Sequence, residues 1–116
     1  MKPEEVECIL LVEYLDILLS QSKIVEYSHT AQETYTKSWQ QKRKNKRMGV
    51  RSGVPDYIII TPTRVLFIEM KRLKGGRLSL TQKHWIDAIN NTCCIATVAN
   101  GFQEAKKFLE ENLQHP

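Results

Sequence analysis

Two carboxylates and an amine, Asp56, Glu69 and Lys71, flank a pair of short apolar runs, and the spacing sets them face to face. Tyr57 to Ile60 and Val65 to Met70 are β-branched and aromatic runs separated by Thr61-Pro62-Thr63-Arg64, which predicts two antiparallel strands joined by a hairpin turn. A turn centred on Pro62-Thr63 pairs residues whose numbers sum to 125, so Asp56 lies opposite Glu69. Side chains directly opposite in such a pair sit roughly 5 Å apart at Cβ and point to one face. The strand period of two then places Lys71 beside Glu69 and turns Met70 away. Two carboxylates held like this repel unless a cation lies between them, and a hard divalent ion with oxygen ligands suits the gap.

An aspartate, a gap, then Glu-x-Lys on adjacent strands resembles the PD-(D/E)xK nuclease signature, and the flanking residues narrow the likeness. Gly49-Val50-Arg51-Ser52-Gly53-Val54-Pro55-Asp56, then Glu69-Met70-Lys71, then Gly76-Arg77-Leu78-Ser79 with Gln82, resemble the virus-type replication-repair nuclease (VRR-NUC) family. An isolated Glu-x-Lys carries almost no information, whereas these elements in order at workable spacing carry a good deal. Met70 stands where valine is common in that family, on the face away from the carboxylates.

The resemblance implies a single α/β domain over residues 1–116, with a restriction-endonuclease-like core: a mixed β-sheet flanked by helices in the order αβββαβα. It implies a DNA endonuclease that hydrolyses phosphodiester bonds with Mg2+ or Mn2+. Asp56, Glu69 and the Met70 carbonyl would hold the metal, and Asp56, Glu69, Lys71 and Gln82 would be catalytic. In the family a glutamate of the first helix completes the acidic set, acting here through water; Glu7 is the first candidate and Glu4 the second. Lys71 would orient the attacking water, deprotonate it or stabilise the transition state. Ser79-x-x-Gln82 is also a capping box, in which Gln82 folds back on the Ser79 amide. Helix-start geometry is expected to permit one main use of Gln82, and the family role is favoured.

Stand-alone relatives act as homodimers on four-way DNA junctions, so the resemblance implies a homodimer on branched DNA. The chain is short enough to lack the insertion that keeps fused relatives monomeric, and the expected interface is apolar surface near Trp85 and Ile86. Cleavage of flaps, nicks or ends is compatible with the same residues. A different class of function is a basic nucleic-acid-binding module without catalysis. Such a module gains nothing from carboxylates on a cationic face, and metal-dependent nicking abolished by EDTA separates the two.

Charge is segregated along the chain. The formal net charge is +4, from 17 Lys and Arg against 13 Asp and Glu, but Thr34 to Lys83 holds 13 of the cations and only two acids, Asp56 and Glu69. A merely solvated surface would intersperse the two signs. A cationic face around an acidic pocket favours a polyanion. The run Lys42, Arg43, Lys44, Lys46 and Arg47, with Arg51 and Arg77 in the same segment, is expected to contact phosphates and to supply affinity without reading sequence.

The remaining elements must position these groups. Pro3 to Leu19 reads as a helix with proline in its first turn, its face of Cys8, Leu11, Tyr14, Leu15 and Leu18 turned inward. Lys23 to Ser28 is an expected strand, and residues 29–53 an expected long irregular segment; the resemblance implies a polar cluster near the site at the place of His29, Gln32 and Glu33, for which a solvated loop is the favoured reading. Gly75-Gly76 breaks the chain before a helix from Ser79 to about Asn91. Ile95 to Ala99, reached through that helix, should be a parallel strand, and Gly101 to Leu113 a closing helix. No run approaches the roughly 18 apolar residues of a membrane span, and no secretory pattern opens the chain. An intracellular protein, cytoplasmic or nucleoid-associated and of possible viral origin, is therefore expected. Cys8, Cys93 and Cys94 are expected as reduced, buried thiols.

Overall fold

The computed structural model describes residues 1–30 and 37–113. Helix α1 spans Pro3–Ser20 and strand β1 Glu26–His29; α2 is Trp39–Arg47, β2 Tyr57–Ile60 and β3 Val65–Lys71; α3 covers Leu80–Asn90, β4 Ile95–Asn100 and α4 Phe102–Leu113. The strands form one mixed sheet in the order β1-β2-β3-β4, with β1, β2 and β3 antiparallel in turn and β4 parallel to β3. The β2–β3 register is the expected one, Tyr57 against Ile68 and Ile59 against Leu66. The turn closes as the Thr61 N–H donates to the Arg64 carbonyl at 2.8 Å, with the buried Thr61 hydroxyl donating to the same oxygen at 2.9 Å.

The period of two sorts the sheet into a core face and a site face. Leu66 and Ile68 of β3, Tyr57 and Ile59 of β2 and Ala99 of β4 meet Leu11, Leu15 and Leu18 of α1 and Ala105 and Leu109 of α4 in one buried cluster. Each fully buried leucine there contributes about 1.5–3 kcal/mol relative to exposure. Helix α3 covers the other face. Its Asn90 bonds the β4 backbone twice, donating to the Ala96 carbonyl at 3.0 Å and accepting the Ala96 N–H at 2.8 Å. Glu69 and Lys71, out of phase with Leu66 and Ile68, therefore emerge beneath α3.

The mixed sheet flanked by helices matches the expected fold class, and the structure adds detail beyond the sequence pattern. The segment expected to be irregular contains α2, so the order of elements is αβαββαβα. Ser38 caps that helix by accepting the Gln41 N–H at 3.2 Å, and no Gly or Pro interrupts Trp39–Arg47. With none of its residues buried, it had no apolar period to reveal it. Strand β1 starts three residues later than expected because the chain leaves α1 through a turn at Ser22, at φ 56°. The cysteines are free, as expected, but none is fully buried: Cys93 is exposed and Cys8 and Cys94 are half-buried. Ile86 is buried within the chain, whereas Trp85 is half-buried and its indole N–H donates to the Ser52 carbonyl at 3.1 Å. Among the described residues, no helix is long and apolar enough to cross a membrane.

Candidate active site

The site lies where β3 outruns β2. Past the last β2–β3 pair the Met70 N–H has no strand partner on that side, and the Asp56 carboxylate takes its place, Oδ2 accepting at 2.8 Å. The N–H and C=O of one residue leave a strand on the same side. The Met70 carbonyl is thereby directed toward Asp56 as well. Asp56 is itself held by β1's end: the Thr30 N–H donates to the Asp56 carbonyl at 2.7 Å, and the Thr30 hydroxyl donates to the Pro55 carbonyl.

Glu69 is 3 % exposed, a depth at which a carboxylate needs partners. Gln82 Nε2 donates to Oε2 at 3.1 Å, and the Lys71 ammonium stands 3.8 Å from the same oxygen. Among the described residues, Oε1 is buried with no hydrogen-bond partner. Burial first, and then the adjacent Asp56 charge, push the Glu69 carboxyl up to about 8, with Lys71 opposing the shift. A proton, or a cation in its place, would relieve the repulsion between the two carboxylates.

Gln82 resolves its two expected uses by serving both. Its Oε1 accepts from the Ser79 N–H at 2.9 Å, closing the capping box, and from the Lys71 ammonium at 2.7 Å, while its Nε2 binds Glu69. An amide side chain has two lone pairs and two donor hydrogens at separate atoms. The expectation of one main use is corrected accordingly: the cap fixes the rotamer that aims the amide at the site.

Gly53 shows why the segment before Asp56 needs glycine. Its φ is +93°, and a Cβ there would lie 2.6 Å from the Thr81 carbonyl carbon, so only glycine lets this loop touch the start of α3. The Trp85 bond to Ser52 fastens the same junction.

Glu7 sits at the same end of the sheet. Its Oε1 accepts the Phe102 N–H at 2.8 Å at the start of α4, next to Gly101, whose N–H donates to the Lys71 carbonyl at 3.1 Å. Glu4 is exposed. The His29 ring packs on Tyr57, with centroids 4.7 Å apart, and Gln32 and Glu33 lie outside the described residues. Arg51 lines a cavity of about 360 Å³ with Ser52, Leu80, Thr81, His84 and Trp85, beside Gln82. Gly76 packs against Lys71, its Cβ position 3.0 Å from the Lys71 Cβ, and so brings the exposed Arg77 over the end of β3. Lys42, Arg43, Lys44, Lys46 and Arg47 all lie on α2, exposed. Thr30 and His84 were not singled out from sequence; both depend on contacts across elements, for which local pattern carries no signal.

The donor set fits a hard divalent cation: the carboxylates of Asp56 and Glu69, the latter with its buried Oε1, and the Met70 backbone carbonyl, with no sulfur or imidazole nitrogen among them. Among the described residues no group of three or more His, Cys, Asp and Glu converges, so carbonyl and water oxygens would complete the shell.

The family model of the VRR-NUC domain matches residues 6–103. A solved structure titled VRR_NUC domain protein superposes with a TM-score of 0.62 at 23% identity, covering 90% of this chain and 88% of that one. That likeness is one of fold. No curated protein matches the chain.

Proposed function

Because the chain belongs to the VRR-NUC family, a nuclease-type domain with nucleic acid as its partner, we propose that it is a Mg2+- or Mn2+-dependent DNA endonuclease with Asp56, Glu69 and Lys71 at its centre. The observation that carries the reading is the buried Glu69 Oε1 beside Asp56, an oxygen without a hydrogen-bond partner among the described residues. A bound Mg2+ or Mn2+ supplies Lewis-acid stabilisation of the phosphodiester as it opens and lowers the pKa of a water to the neutral range. Asp56 and Glu69 would hold the ion with the Met70 carbonyl, and Glu7 would act on it through water. Gln82 fixes the Lys71 ammonium 2.7 Å from its own carbonyl oxygen, on the site side of β3. From there Lys71 orients the attacking water, takes its proton or offsets charge on the phosphate. Arg51, Arg77 and the α2 cations hold the strand by its phosphates.

A non-catalytic DNA-binding module has no use for a buried acid whose ionisation its own neighbours oppose. The test is nicking of supercoiled DNA by the purified protein with Mg2+ or Mn2+. Cleavage abolished by EDTA and by Asp56→Ala supports the reading, and cleavage that persists in that variant defeats it.

Branched DNA and a homodimer complete the proposal, and α1 supports them. Leu11, Leu15 and Leu18 of α1 face the core, while Val6, Ile9, Leu10 and Ile17 are exposed on its outer side as an apolar strip that Glu13 interrupts. Such a stripe on a helix points to a partner. A second copy packing α1 on α1 by two-fold symmetry would bring two sites to one junction and supply paired incisions. Ile9→Asp with Ile17→Asp should convert a dimer to a monomer in sedimentation and reduce junction cleavage below that of linear duplex. A wild-type monomer at micromolar concentration would remove the dimer and leave the nuclease.

A further inference from the structure

Helix α2 is unlike every other helix of the chain. None of its residues is buried, and it carries Lys42, Arg43, Lys44, Lys46 and Arg47 with no acid. At its first position stands Trp39, 73 % exposed. An indole left in water at the head of a cationic helix does nothing for folding. A helix that bound phosphates alone would need only the cations.

The two kinds of side chain share one face. At about 100° per residue, Trp39, Lys42, Arg43, Lys46 and Arg47 fall within an arc of about 140°. Gln41 and Asn45 lie on the other side, joined by a hydrogen bond of 2.7 Å. Asn45 alone among the α2 residues is half-buried, and its carbonyl accepts the Val50 N–H at 2.8 Å, so the Gln41–Asn45 side turns to the chain and the tryptophan side to solvent. The Lys42 ammonium lies 5.2 Å from the Trp39 ring centroid, which sets a cation and a π-face side by side. Arg43 and Arg47 also line an open groove of about 710 Å³ with Gln40, Lys44 and Met48, a volume within the range that holds small ligands.

A nucleic-acid strand with unpaired bases presents the complement of this face, phosphates at regular intervals and flat rings free to stack. Within a duplex the rings are stacked on one another and only the phosphates remain. We propose that α2 reads unpaired DNA: Trp39 stacks on a base outside the duplex while Lys42, Arg43, Lys46 and Arg47 hold the phosphates on either side. The inference rests on the nucleic-acid reading above and adds to it a preference for substrates with single-stranded character. The short segment from Met48 to Pro55 leads from this helix directly to Asp56, which ties the reader to the cutting site.

The full-length chain is compared with Trp39→Ala and Trp39→Phe in Ca2+, using an oligothymidylate, a blunt duplex, and the same duplex with a single-stranded flap. Trp39→Ala should weaken oligothymidylate and flap binding by about fivefold or more, the range of one base stack, and leave blunt-duplex binding and its salt dependence unchanged. Trp39→Phe, keeping a ring, should recover most of the affinity while losing the quenching of tryptophan emission that the wild type shows on the oligothymidylate. Unchanged binding of every DNA by Trp39→Ala overturns the proposal. An equal loss on blunt duplex also overturns it, because Trp39 would then only support the cationic helix. Cleavage by wild type against Asp56→Ala reads the nuclease assignment separately, so either can fail alone.

Discussion

The end of β3 and helix α2 are built by opposite rules, though both face the same proposed substrate. At β3 each functional group is tied to another element: Asp56 to the Met70 N–H, Glu69 to α3 through Gln82, and Lys71 to the same amide. Helix α2 instead exposes its side chains to water and holds its shape by a cap and local bonds. Chemistry needs groups fixed within fractions of an ångström, which requires burial and shared partners. Affinity for a polyanion comes from counterions released by charges near phosphates, and such charges tolerate mobility. Damage to the first region should therefore cost catalysis, and damage to the second should cost binding.

The largest expected effect is at the carboxylates. Asp56→Ala or Glu69→Ala should drop DNA cleavage to background while gel-shift affinity stays near wild type, since the cationic surface is intact. Lys71→Ala should lose cleavage similarly with metal affinity, followed by calorimetry, less affected. Strong DNA-binding loss in these variants would break the division of labour.

Gln82→Ala comes next. It removes a donor from Glu69 and an acceptor from Lys71 without touching the proposed ligands, and such outer partners are worth about 10–100-fold in metal affinity or activity. Because Ser79 keeps its hydroxyl toward the backbone N–H of residue 82, helix α3 should persist by circular dichroism. Wild-type rates in Gln82→Ala would reduce this residue to a helix cap.

Neutralising Lys42, Arg43, Lys44 and Lys46 together should weaken duplex binding while leaving the single-turnover rate at saturating protein close to wild type. The slope of log affinity against log salt should become shallower by about 0.9 for each phosphate that the variant no longer neutralises. An unaltered slope would show that α2 does not touch the duplex backbone.

The smallest effect is on stability and isolates the buried Glu69. Its folded carboxyl is raised to about 8, so the native state holds that proton more tightly than the unfolded chain does. The resulting stabilisation is complete below the ordinary carboxylate range of about 4.3 and is lost as pH rises through about 8. In EDTA the melting temperature should therefore fall between pH 5 and pH 9 more in wild type than in Glu69→Gln. A difference of several degrees or more is expected, and added Mn2+ should reverse it at pH 8. Parallel curves for the two proteins would contradict the buried acid pair.

The chain's own pattern determined the parts governed by local rules. A turn at Pro62-Thr63 and the period of two fixed which residues of β2 and β3 face each other, and hence which face carries Glu69 and Lys71. The apolar stripes set α1 and α4 against the core. Helix α2 escaped notice because a helix that buries nothing leaves no period to read. Only the tertiary structure decided that Thr30 steadies Asp56, that the capping Gln82 also bonds Glu69 and Lys71, and that Gly53 must lack a side chain against Thr81. Each of those joins elements far apart in sequence, and its energy depends on distances that no one-dimensional pattern encodes.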